Sequence, residues 1–275
     1  MKTFSLVTGA TSGIGLEMAK QLAARSHDLI LVSRDSRKLQ QAADAIKQSH
    51  PAVTIHTFAV DLATPGAARR VFEFTERLAL QVDTLINNAG VGAYGEHVEL
   101  DLEQLARMFQ LNINALSELC ALYGKQMKSR GSGRILNVAS TAAYQPTPFI
   151  AAYGASKAFV LNYSEALAKE LEDFGVTVSC LSPGPTDTGF FGDMDARGIA
   201  NEHFEKSSRD TAQHVARVGL RAMFSGRLSK IVGAGNYWLA WSARIASRSM
   251  VASISKGLMR PSSSKTGSPA QLAGH

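Results

Sequence analysis

The sequence predicts an α/β domain in which seven strands form one doubly wound parallel sheet with helices on both faces. Three features of the chain predict it. Short runs rich in Val, Ile and Leu alternate six times with longer stretches whose apolar residues recur at helical spacing, and a seventh run closes the series. The short runs are continuously apolar instead of alternating, as strands buried on both faces must be. Between the first run and the first helical stretch lies Thr8-Gly9-Ala10-Thr11-Ser12-Gly13-Ile14-Gly15, a glycine-rich turn at a strand-to-helix junction.

Taken in order, residues 4–7 are the first strand and 14–25 the first helix. Residues 29–32 lead to a helix over 36–49, with Asp35 where an N-cap belongs. The strand at 53–58 precedes a helix over 66–81, and the strand at 85–86 precedes a long helix over 101–129. Residues 135–138 and 176–181 are strands followed by helices over 152–174 and 210–224, and 231–232 is the last strand. This series uses nearly all of residues 1–235, so topology argues for one domain there although 275 residues could make two. Residues 236–275 are read as a basic helical extension and tail. Apolar residues recur from 237 to 260 without a proline, so one helix is expected, and 261–275, rich in Ser, Gly and Pro, is expected to be mobile. The segment 189–209, with Phe190, Phe191 and Met194 between glycines, is long for a connection and is expected to act as a substrate lid.

Composition narrows the classes further. With 45% apolar and 19% charged residues the chain can offset the entropy that leaves polar sequences unfolded. No uninterrupted apolar run approaches ~18 residues, and no signal-type segment precedes the turn at Gly9. A cytoplasmic protein, soluble or membrane-peripheral, is expected. Cys120 and Cys180 sit far apart in apolar stretches and read as buried thiols of a reducing compartment. The histidines do not recur at metal-ligand spacing, so no metal is expected. Net charge is +6, yet residues 206–275 hold eleven Lys and Arg against one acid, leaving the rest net negative. This asymmetry argues against nucleic-acid binding and confines interest in anionic partners to the C-terminal quarter.

Glycines in the Gly9 to Gly15 turn let backbone approach a pyrophosphate, whose charge a helix N-terminus stabilises. Downstream, Asn87-Asn88-Ala89-Gly90 ends the fourth strand, Ser140 follows the fifth, Tyr153-Gly-Ala-Ser-Lys157 opens the next helix, and Pro183-Gly184 follows the sixth strand. With the asparagine of Leu111-Asn112-Ile113-Asn114, these ordered motifs resemble the short-chain dehydrogenase/reductase family, in its compact single-domain branch, over about residues 1–235. The resemblance implies a Rossmann-type fold and a nicotinamide cofactor held by Gly9, Thr11, Ser12, Gly13, Ile14 and Gly15. It implies that Asp61 and Leu62 flank the adenine and that Asn88, Ala89 and Gly90 line the adenosine side. Pro183, Gly184, Thr186 and Thr188 fall on the nicotinamide side, although Thr186 stands where an aliphatic residue is more usual. At the end of the second strand an acid would hydrogen-bond the ribose 2′-hydroxyl of NAD. By resemblance Ser33 takes that position, and Arg34 can pair with a 2′-phosphate, so NADP(H) is expected. Asp35, one residue on, is either a ribose contact or an ordinary N-cap.

Tyr153 and Lys157, at i and i+4, share a helix face. A phenol, with an ordinary pKa of ~10, transfers protons near neutrality only with help from an adjacent cation. Ser140 stands at the carboxyl end of a strand, where an open parallel sheet has its crevice, and can orient a carbonyl oxygen. By resemblance Asn112 holds a water that connects Lys157 to solvent, with Asn114 as the alternative. The resemblance implies an NADPH-dependent oxidoreductase interconverting a carbonyl and a secondary alcohol. The competing class is a nucleotide-binding regulatory or scaffold protein without turnover. Tyr144, Pro146, Pro148, Phe149 and Ile150 lie between the catalytic positions and suggest an apolar substrate such as a 3-oxoacyl chain, a steroid-like ketone or an aromatic ketone. The family resemblance also implies a homodimer or homotetramer. In the helix expected over 237–260, Leu239, Ala243, Ala246, Met250, Ile254 and Leu258 fall on one side and Arg244, Arg248, Lys256 and Arg260 on the other. Such a helix can cover the substrate cleft, form a subunit interface, or lie on an anionic membrane.

Overall fold

The computed structural model describes residues 2–187 and 210–260. Its strands are β1 (Thr3–Thr8), β2 (Asp28–Ser33), β3 (Ile55–Ala59), β4 (Gln81–Asn87), β5 (Gly133–Val138), β6 (Val176–Ser182), β7 (Thr186–Asp187), β8 (Asp210–Thr211) and β9 (Ser229–Ile231). Seven of them form one sheet in the order β3-β2-β1-β4-β5-β6-β9, every pair parallel. The described helices are α1 (Gly13–Ala23), α2 (Ser36–Ser49), α3 (Ala67–Arg77), α4 (Leu102–Phe109), α5 (Leu116–Arg130), α6 (Ala151–Leu171), α7 (Ala212–Phe224), α8 (Ala234–Ile245) and α9 (Arg248–Met259). Chain direction across the sheet reverses between β1 and β4, the switch point where an open parallel sheet leaves its crevice.

Burial explains why the strand sequences are continuous. Leu6, Ile30 and Val32 pack with Val71 of α3, Leu119 and Tyr123 of α5 and Val160 of α6 on one side of the sheet. Their chain neighbours Val7, Leu29 and Leu31 pack with Met18 and Leu22 of α1, Leu39 and Ile46 of α2, and Leu220 of α7 on the other. Successive side chains point to opposite faces, and each face finds an apolar layer.

Three elements differ from the sequence expectation. The single helix expected over 101–129 is interrupted by a π-helical segment, Gln110–Ala115, between α4 and α5. The buried Asn112 lies within it and is bonded outward to the backbone of Val91, a tertiary tie that helical spacing does not encode. Residues 210–211, expected to begin a helix, instead form β8, which pairs with β7, and α7 begins after them with Thr211 as its cap. The single helix expected over 237–260 is two helices. The Ser247 hydroxyl accepts the Met250 N–H at 3.3 Å, capping α9, and the chain bends at Ala246. The expected lid at 189–209, with Phe190, Phe191 and Met194, lies outside the described residues, as do Thr188 and the tail at 261–275.

Candidate active site

The carboxyl ends of β1, β2, β4, β5 and β6 open into one cleft of about 940 Å³. Its floor at the β1 end is a close approach of three chain segments. Gly9 has φ +66°, and a methyl on Gly15 would stand 2.3 Å from the Gly9 carbonyl oxygen and 2.4 Å from Asn88 Nδ2. Only hydrogen fits at Gly15, which is buried beneath the cleft and does not line it. Asn88 Nδ2 donates to the carbonyls of Thr8 (3.0 Å) and Gly9 (3.2 Å), while the Thr8 hydroxyl accepts the N–H groups of Asn88 and Ala89, each at 3.0 Å. Ser12 precedes α1 without a side-chain cap, and the first turn holds no acid. The free N–H groups of α1, beside a glycine cradle, therefore suit an anion such as a pyrophosphate. Gly9, Thr11, Ser12, Gly13, Ile14, Asn88, Ala89 and Gly90 all line the cleft.

The end of the cleft beside β2 and β3 is lined by Ser33, Arg34, Asp61 and Leu62, the residues expected to meet an adenosine. Ser33 shares a hydrogen bond with Thr11 at 3.3 Å, and Arg34 is exposed on the cleft wall. Asp35 is committed to α2, its carboxylate accepting the Lys38 N–H at 3.0 Å, which decides in favour of the N-cap. Asp61 and Leu62 line the same wall. Partial burial opposes the charge of Asp61, but the Ala63 N–H, Arg107 and, at longer range, Arg34 together hold its carboxyl below the usual range. The ion pair with Arg107 of α4 was not anticipated from sequence, since its partners are far apart in the chain and meet only across the cleft.

At the other end Ser140, Tyr153 and Lys157 converge. The Ser140 hydroxyl accepts the Ala142 N–H at 3.2 Å and is hydrogen-bonded to Tyr153. Burial pushes the Tyr153 phenol up to about 12, with the Ser140 bond pulling against it. Lys157 Nζ donates to the Val138 carbonyl at 2.8 Å and lies 5.9 Å from the centre of the Tyr153 ring. Burial pushes its ammonium down to about 8. Gly90 keeps this corner open, because a methyl there would come within 3.3 Å of both Lys157 Nζ and Asn112 Oδ1.

Asn112 does not line the cleft. Its Oδ1 accepts the Val91 N–H (3.0 Å), and its Nδ2 donates to the Val91 carbonyl (2.9 Å) and the Ser156 hydroxyl (3.0 Å). The side chain thus clamps the loop after β4 to α6. Asn114 instead bonds Gln110 at an exposed site. Ser156, between Tyr153 and Lys157, and the buried chain Asn87–Asn137–Ser164, with bonds of 2.9 Å each, fix β4, β5 and α6 beneath the pair. Sequence reading missed both sets, although Ser156 and Ser164 recur on the inward face of α6.

Pro183, Gly184 and Thr186 line the cleft, the Thr186 hydroxyl donating to the Gly184 carbonyl at 3.0 Å. A methyl on Gly184 would meet Asn236 Nδ2 at 2.3 Å, so α8 packs directly on this loop. The segment between Ser140 and Tyr153 corrects an expectation. Tyr144 is turned toward the sheet, sharing hydrogen bonds with Ser182 (3.3 Å) and Ser229 (3.5 Å), and the residues of this segment that line the cleft are Thr141, Ala142, Gln145, Thr147 and Ile150. Beside them lies a small apolar cluster of Ala93, Tyr94, Leu105, Met108, Ile150 and Tyr153, on which Met259 of α9 packs. Leu239 of α8 and Met259 complete the wall.

A family model described as short chain dehydrogenase matches residues 3–197. The chain is 36% identical over 187 residues to a very-long-chain 3-oxoacyl-CoA reductase from Pyrenophora tritici-repentis, covering 65% of this chain and 53% of that protein. It therefore spans about half the length of that relative. Among solved structures, a short-chain dehydrogenase from Sphingobium yanoikuyae in complex with NADPH superposes with a TM-score of 0.78 at 30% identity, covering 88% of this chain and 93% of that one. A bulky-bulky ketone specific alcohol dehydrogenase from Comamonas testosteroni gives 0.74 at 26% identity, covering 98% and 99%.

Proposed function

Since the chain belongs to the short-chain dehydrogenase family, we propose that it is an NADPH-dependent reductase converting an apolar ketone or aldehyde to its alcohol, and the alcohol back by the same groups. The observation that carries this reading is that Ser140, Tyr153 and Lys157 share one cleft with the glycine cradle at β1. When bound, the reduced nicotinamide supplies a hydride to the carbonyl carbon. Gly9 to Gly15 and the start of α1 would hold the pyrophosphate, Asp61 and Leu62 the adenine, and Pro183 to Thr186 the nicotinamide end. Ser140 orients the substrate oxygen, and Tyr153 gives it a proton. The Tyr153 phenol, pushed up to about 12, stays protonated through the neutral range, as a proton donor must. Lys157, protonated below about pH 8, places a positive charge near the phenolate left behind.

The preference for NADPH rests on Ser33 and Arg34, and the NADPH complex of the Sphingobium neighbour supports it. Arg34→Ala is expected to weaken NADPH about ten- to hundredfold, the worth of a charge-assisted pair of ~1.5–3 kcal/mol, with little change for NADH. KM values for both cofactors check this, and an equal loss for both would refute the assignment.

The apolar wall of Ile150, Leu239 and Met259 supports a bulky carbonyl, as do the 3-oxoacyl-CoA and bulky-bulky ketone specificities for which the Pyrenophora and Comamonas proteins are named. Gln145 and Thr147 add two polar handles that suit a functional group beyond the carbonyl. A screen of carbonyl compounds by NADPH absorbance tests the proposal. Along a homologous ketone series kcat/KM should rise roughly fourfold per methylene, from ~0.8 kcal/mol of burial each, whereas a preference for sugars would count against it. We also propose a homodimer or homotetramer through α5 and α6, where Phe159, 37% exposed, stacks on Tyr163. Both cysteines are free and buried, which suits a reducing compartment such as the cytoplasm.

A further inference from the structure

We propose that the outer face of α8 and α9 docks on an anionic lipid bilayer and sets the mouth of the cleft against it, an inference that rests on the apolar-substrate reading above. An amphipathic helix of a soluble domain turns its large apolar residues inward. These two do the reverse. Among their described side chains the most buried are the small Ala240 and Ser255, while Trp238 is 63% exposed, Trp241 48% and Ile245 69%, with Met250, Ile254 and Leu258 each more than half exposed. Single exposed apolar residues are ordinary, but a run of them along two consecutive helices marks an interaction surface. The rings of Trp238 and Trp241 lie edge to face at 5.7 Å, and indoles of this kind favour the headgroup level of a bilayer.

Charge selects the partner. Residues 211–260 contain no Asp or Glu, and Arg248, Lys256 and Arg260 are exposed on α9 and just beyond its end. A symmetric contact with a second copy brings these cations onto their mates with no acid in either helix to pair them. An acidic protein surface pairs the cations but leaves Ile245 and Ile254 against polar groups. An anionic bilayer satisfies both sets at once, with apolar side chains below the headgroups and cations among them. The face also continues into the cleft. Leu239, half exposed, lines the cleft wall, and the Tyr94 hydroxyl donates to the Met259 carbonyl at 2.9 Å, tying the end of α9 to the apolar cluster that contains Tyr153. Among the described residues no helix is long and apolar enough to cross a membrane, so the contact is peripheral.

Trp238 and Trp241 are the two tryptophans of the chain, so intrinsic fluorescence reads this face alone. The full chain is titrated with vesicles of equal parts phosphatidylglycerol and phosphatidylcholine, and binding is confirmed by co-sedimentation. The emission is expected to shift to the blue, to be quenched by lipids brominated on their acyl chains, and to recover as salt is added. Arg248→Gln with Lys256→Gln should weaken binding about fivefold for each cation removed, with turnover of a short water-soluble ketone unchanged. The proposal is overturned if the emission does not move, if phosphatidylcholine alone binds as well, or if the double variant binds like the parent. It is equally overturned if the face is covered by self-association and ignores lipid. None of these readouts uses turnover, so failure to find a ketone substrate and failure to dock are separate results.

Discussion

Replacing Tyr153 with phenylalanine is expected to lower kcat at least ~10²-fold, the usual worth of a positioned proton donor, while NADPH affinity stays near that of the parent. The change deletes one hydroxyl and keeps a ring that packs in the cluster with Ala93, Leu105 and Met108. Little packing is lost, and the missing bond to Ser140 costs only about 1 kcal/mol of stability. The chemistry loses more, because the nearby Tyr94 phenol donates its proton to the Met259 carbonyl, and the Ser140 hydroxyl is the group that orients the substrate oxygen in the proposed reaction. Steady-state kinetics and an NADPH fluorescence titration separate the two effects. A variant that kept more than about a tenth of kcat would sink the proton-donor role, and a parent that binds NADPH without turning over any carbonyl would favour a binding protein.

What was legible in the sequence follows the range of the forces involved. Strand and helix patterns are local, so Leu29 and Ile30, buried on opposite faces, announced a sheet covered on both sides. The site motifs were legible for a related reason. Each sits where a strand ends or a helix begins, and the parallel topology alone brings Gly9, Asn88, Ser140 and Gly184 to one edge. Features that depend on tertiary contacts were not legible. The π segment exists around Asn112, whose amide reaches the Val91 backbone, and no spacing rule anticipates that. Tyr144 was expected in the pocket because it lies between Ser140 and Tyr153, but its hydroxyl reaches Ser182 and Ser229 on β6 and β9, partners distant in the chain that no local pattern announces. The break between α8 and α9 did leave a signal, the capping Ser247, which the uninterrupted apolar pattern on either side concealed.

Gly15→Ala is expected to cost the chain both stability and its cofactor, because the new methyl has no flexible neighbour to displace. At 2.3 Å from the Gly9 carbonyl oxygen and 2.4 Å from Asn88 Nδ2 it drives apart the end of β1, the start of α1 and the end of β4. The Asn88 amide cannot simply swing away, since it donates to the carbonyls of both Thr8 and Gly9. Overpacking of this kind costs about 1–3 kcal/mol, and more where the obstacle is backbone. The same shift moves the uncapped N–H groups of α1 away from the pyrophosphate they would hold, so NADPH binding should fall more than tenfold. Thermal unfolding with and without NADPH reads both effects. The parent should melt higher when NADPH is present, since a ligand that binds only the folded chain stabilises it, and the variant should melt lower and lose that rise. Gly257→Ala in α9 serves as the control, for a methyl there meets nothing within 4 Å and gains about 1 kcal/mol of helix propensity. If Gly15→Ala instead melts like the parent and keeps its NADPH-dependent rise, the three segments are not locked together at this glycine.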